Sequence, residues 1–161
     1  MSVADVRTAI VARLNTVAGI GVVQPYERYA ADLSRLKALY TPPGEQAVRG
    51  WFVRRPITRE SGNILGRSTV EVIRWRIQGF AQLDDAAQSE LSFDALIESV
   101  RNAFAQDETL GGTVDQCSEP GNDDGESCIQ LEDAGPVMFG GVLCHAARLA
   151  LTTVRYLERN P

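Results

Sequence analysis

One long strand with two unlike faces places the strongest constraint on the fold. Residues Ser68–Leu83 read STVEVIRWRIQGFAQL, in which apolar and polar side chains alternate. Successive side chains of a strand point to opposite faces of a sheet. One face is therefore apolar and the other is basic or polar: Ile73, Trp75 and Ile77 against Arg74, Arg76 and Gln78. The apolar face requires a covering layer, so the sequence predicts a sheet with helices packed on one side.

A second β-rich run, Ala47–Thr58, precedes this strand and reads AVRGWFVRRPIT. Proline has no amide proton to donate to a neighbouring strand, so Pro56 indicates an edge strand or a strand end. The intervening RESGNILGR has the composition of a turn. We therefore predict that the two runs form a long hairpin with its tip at Ser61–Gly66.

Three helices are predicted from the spacing of apolar residues. The first begins at Ser2, where Asp5 completes a capping box, and ends before Gly19. The second, YERYAADLSRLKALY, has a weaker pattern and ends at TPPGE. The third begins at Asp85, with Gln88 three residues later. Their apolar stripes are, in chain order, Val6, Ile10, Leu14 and Val17; Tyr29, Leu33, Leu36 and Tyr40; and Phe93, Leu96, Ile97, Val100 and Phe104.

The C-terminal third is predicted to contain strands. Two short strands, TVDQC and CIQLED, flank an acidic loop, AGPVMFGG forms a broken connection, and LCHAARLALTTVRYL forms a long closing strand. The order of elements predicts an α+β fold: a mostly antiparallel sheet with a long β-hairpin and helices packed on one face. No repeat or linker divides the chain, so we expect residues 1–161 to form a single domain.

Charge is strongly segregated along the chain. Gln46–Gln82 contains seven arginines and two acids, whereas Asp84–Asp133 contains fourteen acids and one base, Arg101. All basic residues except Lys37 are arginine, a residue enriched at protein interfaces. A basic and an acidic segment suit head-to-tail contacts between copies, although the charges could equally pair within the fold or be solvated. The net charge of −5 argues against general nucleic-acid binding.

Four residues have side chains suited to metal binding or nucleophilic catalysis: Cys117, Cys128, Cys144 and His145, the only histidine. Their spacing does not match the paired ligands of a structural zinc site. In a strand, the adjacent Cys144 and His145 point to opposite faces and cannot form a dyad. We predict that Cys144 is packed, that His145 lies on the other face, and that His145→Gln leaves folding nearly intact. A Cys117–Cys128 disulfide would be sterically easy, but free thiols are expected in a reducing cytosol.

The acidic loop between Cys117 and Cys128 does not match a calcium-binding template. With Gly125 at the sixth position of an EF-hand loop, the first and last ligand positions fall on Pro120 and Leu131, which cannot bind calcium. No Gly-x-Ser-x-Gly, Walker or His-Glu-x-x-His motif is present in the sequence. We therefore expect no catalytic residues, no cofactor and no metal, and a structural or interaction protein rather than an enzyme.

Six segments form a layout that covers nearly the whole chain. They are VADVRTAIVARLNTV, the pair AVRGWFVRRPIT and STVEVIRWRIQGFAQL, the helix SELSFDALIESVRNAFAQ, LGGTV, and LCHAARLALTTVRYLE. In this layout the chain resembles the tail terminator proteins of long-tailed bacteriophages, also called tail completion proteins or the minor tail protein U group. The insertion YERYAADLSRLKALYTPPGE and the acidic cysteine loop are larger than the layout requires.

The resemblance implies an α/β fold that assembles into a hexameric ring. Such a ring binds the last ring of the tail tube, ends polymerisation and presents a surface to the head–tail connector, and the family has no catalytic residues. A ring needs one surface that complements a different surface of the neighbouring copy. We expect Arg54, Arg55, Arg74 and Arg76 to lie at subunit or tail-tube contacts. The surplus of acids suits a lumen through which DNA passes without specific binding.

Three alternatives remain open. A head–tail connector or stopper (neck) protein would bind the head side alone, a tail tube protein would polymerise into long tubes, and a small enzyme with an acidic site is the third. No apolar run reaches the roughly 18 residues of a membrane span, and the N-terminus lacks the pattern of a signal peptide. We therefore expect assembly in the host cytoplasm and a place in the virion, at the tail or neck, without membrane contact.

Overall fold

The computed structural model describes residues 1–62, 68–118 and 128–158. Within these ranges, three α-helices and five strands form the fold. The helices are α1 (Val3–Asn15), α2 (Leu33–Leu39) and α3 (Ser89–Ala105). The strands are β1 (Val22–Gln24), β2 (Arg49–Gly62), β3 (Ser68–Gln82), β4 (Ile129–Phe139) and β5 (Val142–Glu158).

The five strands form one sheet in the order β1-β2-β3-β5-β4, which is antiparallel except that β1 runs parallel to β2. β2 and β3 form the predicted long hairpin. Of its predicted tip, Ser61 and Gly62 belong to β2, and residues 63–66 lie outside the described residues. The α+β class, with a mostly antiparallel sheet and a long hairpin, is confirmed. The short β1 was not predicted, because three residues carry no readable periodicity.

Pro56 lies where the ladder of β2 is irregular, between Arg54 and Ile57. β1 pairs with β2 only as far as Phe52, and no other strand that the structure describes flanks the outer edge of β2 beyond that point. A proline there removes no hydrogen bond from a neighbouring strand. The predicted edge position of Pro56 is confirmed.

The main core lies between one face of the sheet and the two long helices, α1 and α3. Along β3, Ile73, Trp75 and Ile77 point into this core and are at most 1% exposed. The helices contribute the apolar stripes that their spacing predicted: Val6, Ile10 and Leu14 from α1, and Phe93, Ile97, Val100 and Phe104 from α3. Full burial of a side chain of this size contributes roughly 1.5–3 kcal/mol, so this layer holds both helices on the sheet.

A smaller cluster lies on the opposite face of the sheet, under α2. Its buried members are Tyr40, Val48, Phe52, Phe80, Cys144 and Ala146. The ring of Phe139 stacks on Phe80 with centroids 4.0 Å apart, and Tyr40 meets Phe139 edge-on at 5.1 Å. The two long helices therefore share one face, whereas α2 covers only one end of the other. None of the described helices lies over the rest of that second face.

The start of α1 is as predicted, and that of α2 is not. Ser2 and Asp5 form the capping box at α1 in both directions. The predicted second helix was too long, because α2 begins only at Leu33. The Asp32 side chain caps it by accepting a hydrogen bond from the Arg35 amide at 2.8 Å. Tyr29, predicted on the apolar stripe, is 74% exposed in the preceding segment.

The start of α3 also differs from its prediction. Asp84, rather than Asp85, acts as a cap, and the turn it caps is a short 3-10 helix over Asp85–Ala87. Gln88 then adopts a left-handed conformation with φ of 54°, which interrupts the helical path. The α-helix begins at Ser89, four residues later than the capping pattern predicted.

The region before β5 corrects two further predictions. The predicted strand TVDQC contributes only an isolated bridge from Gln116 to Val154. The predicted short strand CIQLED and the broken connection AGPVMFGG form one continuous strand, β4. Pro136 is tolerated within it because β4 is the edge of the sheet, and Pro136 pairs in register with His145.

Candidate functional site

Cys144 and His145 lie on opposite sides of β5, as the strand pattern predicted. Cys144 is fully buried in the smaller cluster, and this burial raises the pKa of its thiol to about 11. His145 faces α3 instead, where its ring stacks on Phe93 with centroids 5.9 Å apart. The two side chains point away from each other, so they do not form a catalytic dyad.

His145 forms a hydrogen bond that the sequence did not reveal. Its Nε2 lies 2.8 Å from Oγ of Ser89, the first residue of α3. That hydroxyl accepts a hydrogen bond from the Asp84 amide at 2.8 Å, which leaves its proton available for Nε2. A catalytic Ser–His pair needs a carboxylate on the second ring nitrogen, and no described residue donates to or accepts from Nδ1. We interpret the pair as a structural link between β5 and α3.

We expect His145→Gln to lower the free energy of unfolding by about 1–2 kcal/mol, rather than leave it nearly unchanged. The histidine is only 8% exposed, and glutamine cannot replace its stacking on Phe93. Urea denaturation measures the loss. Ser89→Ala, which keeps the stacking and removes only the hydrogen bond, should cost less. If His145→Gln is as stable as wild type, the prediction from the sequence, that this substitution leaves folding nearly intact, is the correct one.

The side chains suited to metal binding do not converge on one site. Cys117 and Cys128 lie in the main core, whereas Cys144 lies in the smaller cluster on the other face. Among residues 1–62, 68–118 and 128–158, no group of three or more histidine, cysteine, aspartate or glutamate side chains is placed to hold a metal ion. The loop compared with the EF-hand template, residues 120–131, lies mostly outside the described residues.

The part of the sheet that α2 leaves uncovered is rich in arginine. Because Trp75 points into the main core, its neighbours Arg74 and Arg76 point to the opposite face. The strand register places three further arginines on the same face, two from β2 and one from β5. We call this surface the arginine face, and its members are Arg54, Arg59, Arg74, Arg76 and Arg148.

Acids of the same chain neutralise only part of the arginine face. Arg54 pairs with Glu27 at 2.8 Å, and Arg74 pairs with Glu132. Arg76 lies directly opposite Arg54 on the neighbouring strand, where like charges repel. The other three members of the face are Arg59, Arg76 and Arg148. They form no ion pair with any acid that the structure describes. Within the described residues, three arginines of the face therefore lack an ion pair, although Asp133 of β4 lies opposite Arg148 in the strand register.

Arg148 is the member whose environment is least satisfied. Its Nε atom is buried and has no hydrogen-bond partner in the structure. An unmade hydrogen bond to a charged group is costly, and Arg148 forms no ion pair even with Asp133, the acid opposite it on β4. Arg148 was not among the arginines predicted at contacts, although the alternation along β5 was sufficient to place it on this face.

Of the four arginines predicted at contacts, Arg55 is the one that lies apart. It is exposed in the irregular part of β2, next to Pro56. The pKa of Arg7 on α1 is lowered mainly by burial and additionally by the nearby charge of Arg55. Arg55 thus lies on the α1 side of the sheet. The structure brings together Arg54, Arg74 and Arg76, but not Arg55.

One flank of α3 is acidic. The apolar stripe is held in the main core, and Glu90, Asp94 and Glu98 lie exposed beside that stripe rather than opposite it, because each residue turns the helix by roughly 100°. Glu90 and Asp94 line a cleft with Ala134–Pro136 of β4. We call these three residues the acidic helix surface. Arg101 donates a hydrogen bond to Glu98 at 2.8 Å and neutralises part of the charge. Because α3 covers the face opposite the arginine face, the two surfaces lie on opposite sides of one sheet.

No family model matches the sequence, and no curated protein matches it. None of the helices in the described part of the chain is long and apolar enough to cross a membrane. The functional interpretation therefore depends on the geometry and charge of the two surfaces and on the layout of the sequence.

Proposed function

We propose that this protein is a structural virion protein of a tailed phage, a tail terminator. It forms a ring, hexameric as the resembled family implies, at the end of the tail tube. The ring ends tail polymerisation and joins the tail to the head connector. The proposal is supported by the layout of the sequence, and the structural observation that carries it is the placement of opposite charges on opposite sides of one sheet.

A closed ring of identical subunits is built from heterologous contacts, in which one surface meets a different surface of the next copy. The arginine face and the acidic helix surface are different and opposite in charge, and they lie on opposite faces of one sheet. Charge complementarity of this kind orients the partners and rejects wrong pairings. Arginine adds specificity because its planar head binds a carboxylate with two hydrogen bonds.

The proposed contact would satisfy the groups that the isolated chain leaves unmatched. Carboxylates of the neighbouring copy, such as Asp94 and Glu90, would meet Arg76 and Arg148. Acids that stay outside the contact would line a channel through which DNA passes without binding, because they repel its phosphates. This function needs no catalytic residue and no cofactor, and its other partners are the tail tube protein and the connector.

The test reverses two charges that form no ion pair with the acids in residues 1–62, 68–118 and 128–158. We expect wild type to assemble into a ring of six at moderate salt, and Arg76→Glu with Arg148→Glu to weaken that assembly at least about a hundredfold. Native mass spectrometry measures the oligomer, and negative-stain microscopy shows its shape. The matched control is Arg28→Glu with Arg35→Glu, which changes the net charge equally but lies off the sheet.

A compensating variant makes the test more specific. Adding Glu90→Arg and Asp94→Arg to the reversed protein restores opposite charges at the proposed contact, so the assembly should return. Unchanged assembly of the doubly reversed protein would contradict the proposed contact. A wild-type protein that stays monomeric even with purified tail tubes would contradict the terminator function itself.

The same preparations separate the alternative functions. Long tubes of wild-type protein would indicate a tail tube protein, and a ring that binds only the head connector would indicate a connector or stopper. Duplex DNA that binds wild type but not the reversed variant would show that the arginine face binds nucleic acid, and this too would contradict the proposal.

A further inference from the structure

Two buried thiols lie against each other in the main core, and the proposed function makes no use of them. Cys117 is 1% exposed and Cys128 is 6% exposed, and both are free cysteines. Both belong to the same hydrophobic cluster, and the Cys128 side chain is close enough to be the main cause that raises the pKa of the Cys117 thiol. They therefore form a pair, unlike Cys144, which lies on the other side of the sheet among aromatic and aliphatic side chains.

The strand register explains why the two thiols meet. Gln116 and Ile129 pair with residues of β5 that are three positions apart, Val154 and Leu151. Cys117 follows Gln116 and Cys128 precedes Ile129, so the two cysteines lie between these two pairing positions along one edge of β5. This placement brings the two thiols next to each other, as a disulfide requires.

We propose that Cys117 and Cys128 form an intramolecular disulfide when the protein meets a low-molecular-weight disulfide such as glutathione disulfide. One protein thiolate attacks the reagent, forms a mixed disulfide and releases one small thiol. The second protein thiolate then attacks the protein sulfur of the mixed disulfide and releases the second small thiol. Two protein thiols are oxidised, one reagent disulfide is reduced, and the two protons end on the released thiols.

The environment of the pair sets the rate and the selectivity of this reaction. The neighbouring Cys128 side chain, together with burial, raises the pKa of Cys117 well above its usual range. Thiolate is the reacting form, so the reaction is slow and becomes faster at higher pH. Cys128 is the more exposed of the two and is the expected site of the first attack. Cys144 is fully buried without a neighbouring thiol and stays reduced.

The bond would connect the two ends of the segment from Cys117 to Cys128 directly to the sheet. In the unfolded chain the disulfide closes a loop of about a dozen residues, so the unfolded state has less conformational freedom. A loop of this size lowers the equilibrium constant for unfolding by about a hundredfold. The inference does not depend on the proposed function, because it concerns only the geometry of the pair.

The test uses the full chain, reduced and then incubated with glutathione disulfide at mildly alkaline pH until the thiol count is constant. We expect two of the three thiols to be lost and peptide mapping to show a Cys117–Cys128 bond. We also expect the oxidised protein to unfold at higher urea concentration than the reduced one. Cys144→Ser should form the same bond, and Cys117→Ser should form no internal bond. Both variants are checked for native circular dichroism.

Each other outcome overturns the proposal. Three thiols that remain free would show that the pair is held in a geometry that cannot close. A bond that includes Cys144, or one between two chains, would show that the reaction does not follow the observed contact. Retention of two separate mixed disulfides at Cys117 and Cys128 would show that the second step fails.

Discussion

Glu71→Ala is expected to destabilise the fold by about 3–5 kcal/mol, because it leaves the guanidinium of Arg155 buried without its carboxylate. Glu71 and Arg155 are 5% and 7% exposed and lie opposite each other on β3 and β5. Arg155 donates from Nε to Oε1 of Glu71 at 2.7 Å. It also donates from Nη1 to the Met1 carbonyl oxygen at 2.6 Å, which ties the start of α1 to the sheet.

Urea denaturation with two comparison variants isolates the cause of this loss. Glu98→Ala removes an ion pair whose glutamate side chain is 60% exposed, and it should cost under about 1 kcal/mol. Replacing both partners, as Glu71→Leu with Arg155→Met, should be less destabilising than Glu71→Ala alone, because no buried charge remains. If Glu71→Ala costs no more than Glu98→Ala, the pair is solvated in solution and the burial argument is wrong.

The features that the sequence predicted well are those with a local cause. Alternation along β3 is set by the geometry of a strand, so it identified both the core residue Trp75 and the outward Arg74 and Arg76. The capping box at Ser2 involves residues three apart in the chain, and it was also predicted. The same reasoning placed Cys144 and His145 on opposite faces, which excluded a dyad before any contact was known.

The features that the sequence predicted poorly depend on tertiary packing. Alternation gave the face of His145 but not its burial, because α3 covers that end of the sheet only after the left-handed turn at Gln88. Pro136 suggested a broken connection, and only the edge position of β4 makes it acceptable within a strand. The contact between Cys117 and Cys128 depends on two segments pairing with the same edge of β5, which no local pattern encodes.

The same distinction applies to the candidate interaction surfaces. The segregation of charge in the sequence did not show whether basic and acidic residues pair within the chain or face apart. Both arrangements occur. Arg54 and Arg74 form ion pairs within the chain, whereas Arg76 forms none with the acids that the structure describes. The side of the sheet on which each element packs decides where its charged residues are exposed, and the sequence pattern does not give that side.

Gly79→Ala is expected to cost about 2–3 kcal/mol, because the indole of Trp51 occupies the space of the missing side chain. Trp51 lies directly opposite Gly79 on the neighbouring strand, and its ring covers the glycine. A Cβ atom at Gly79 would lie 2.5 Å from three ring carbons, closer than real contacts allow. The ring has no room to withdraw, because it is fully buried and stacks on Phe93 at a centroid distance of 6.1 Å.

The matched control for this substitution is Gly135→Ala in β4, where an added Cβ meets no atom within 4 Å. Alanine restricts the unfolded chain there without a clash, so this variant should be neutral or more stable by up to roughly 1 kcal/mol. Trp51→Phe combined with Gly79→Ala should cost less than the sum of the two single changes, because the smaller ring leaves space for the methyl group. Equal stabilities of Gly79→Ala and Gly135→Ala in urea would mean that the indole does not pack over Gly79.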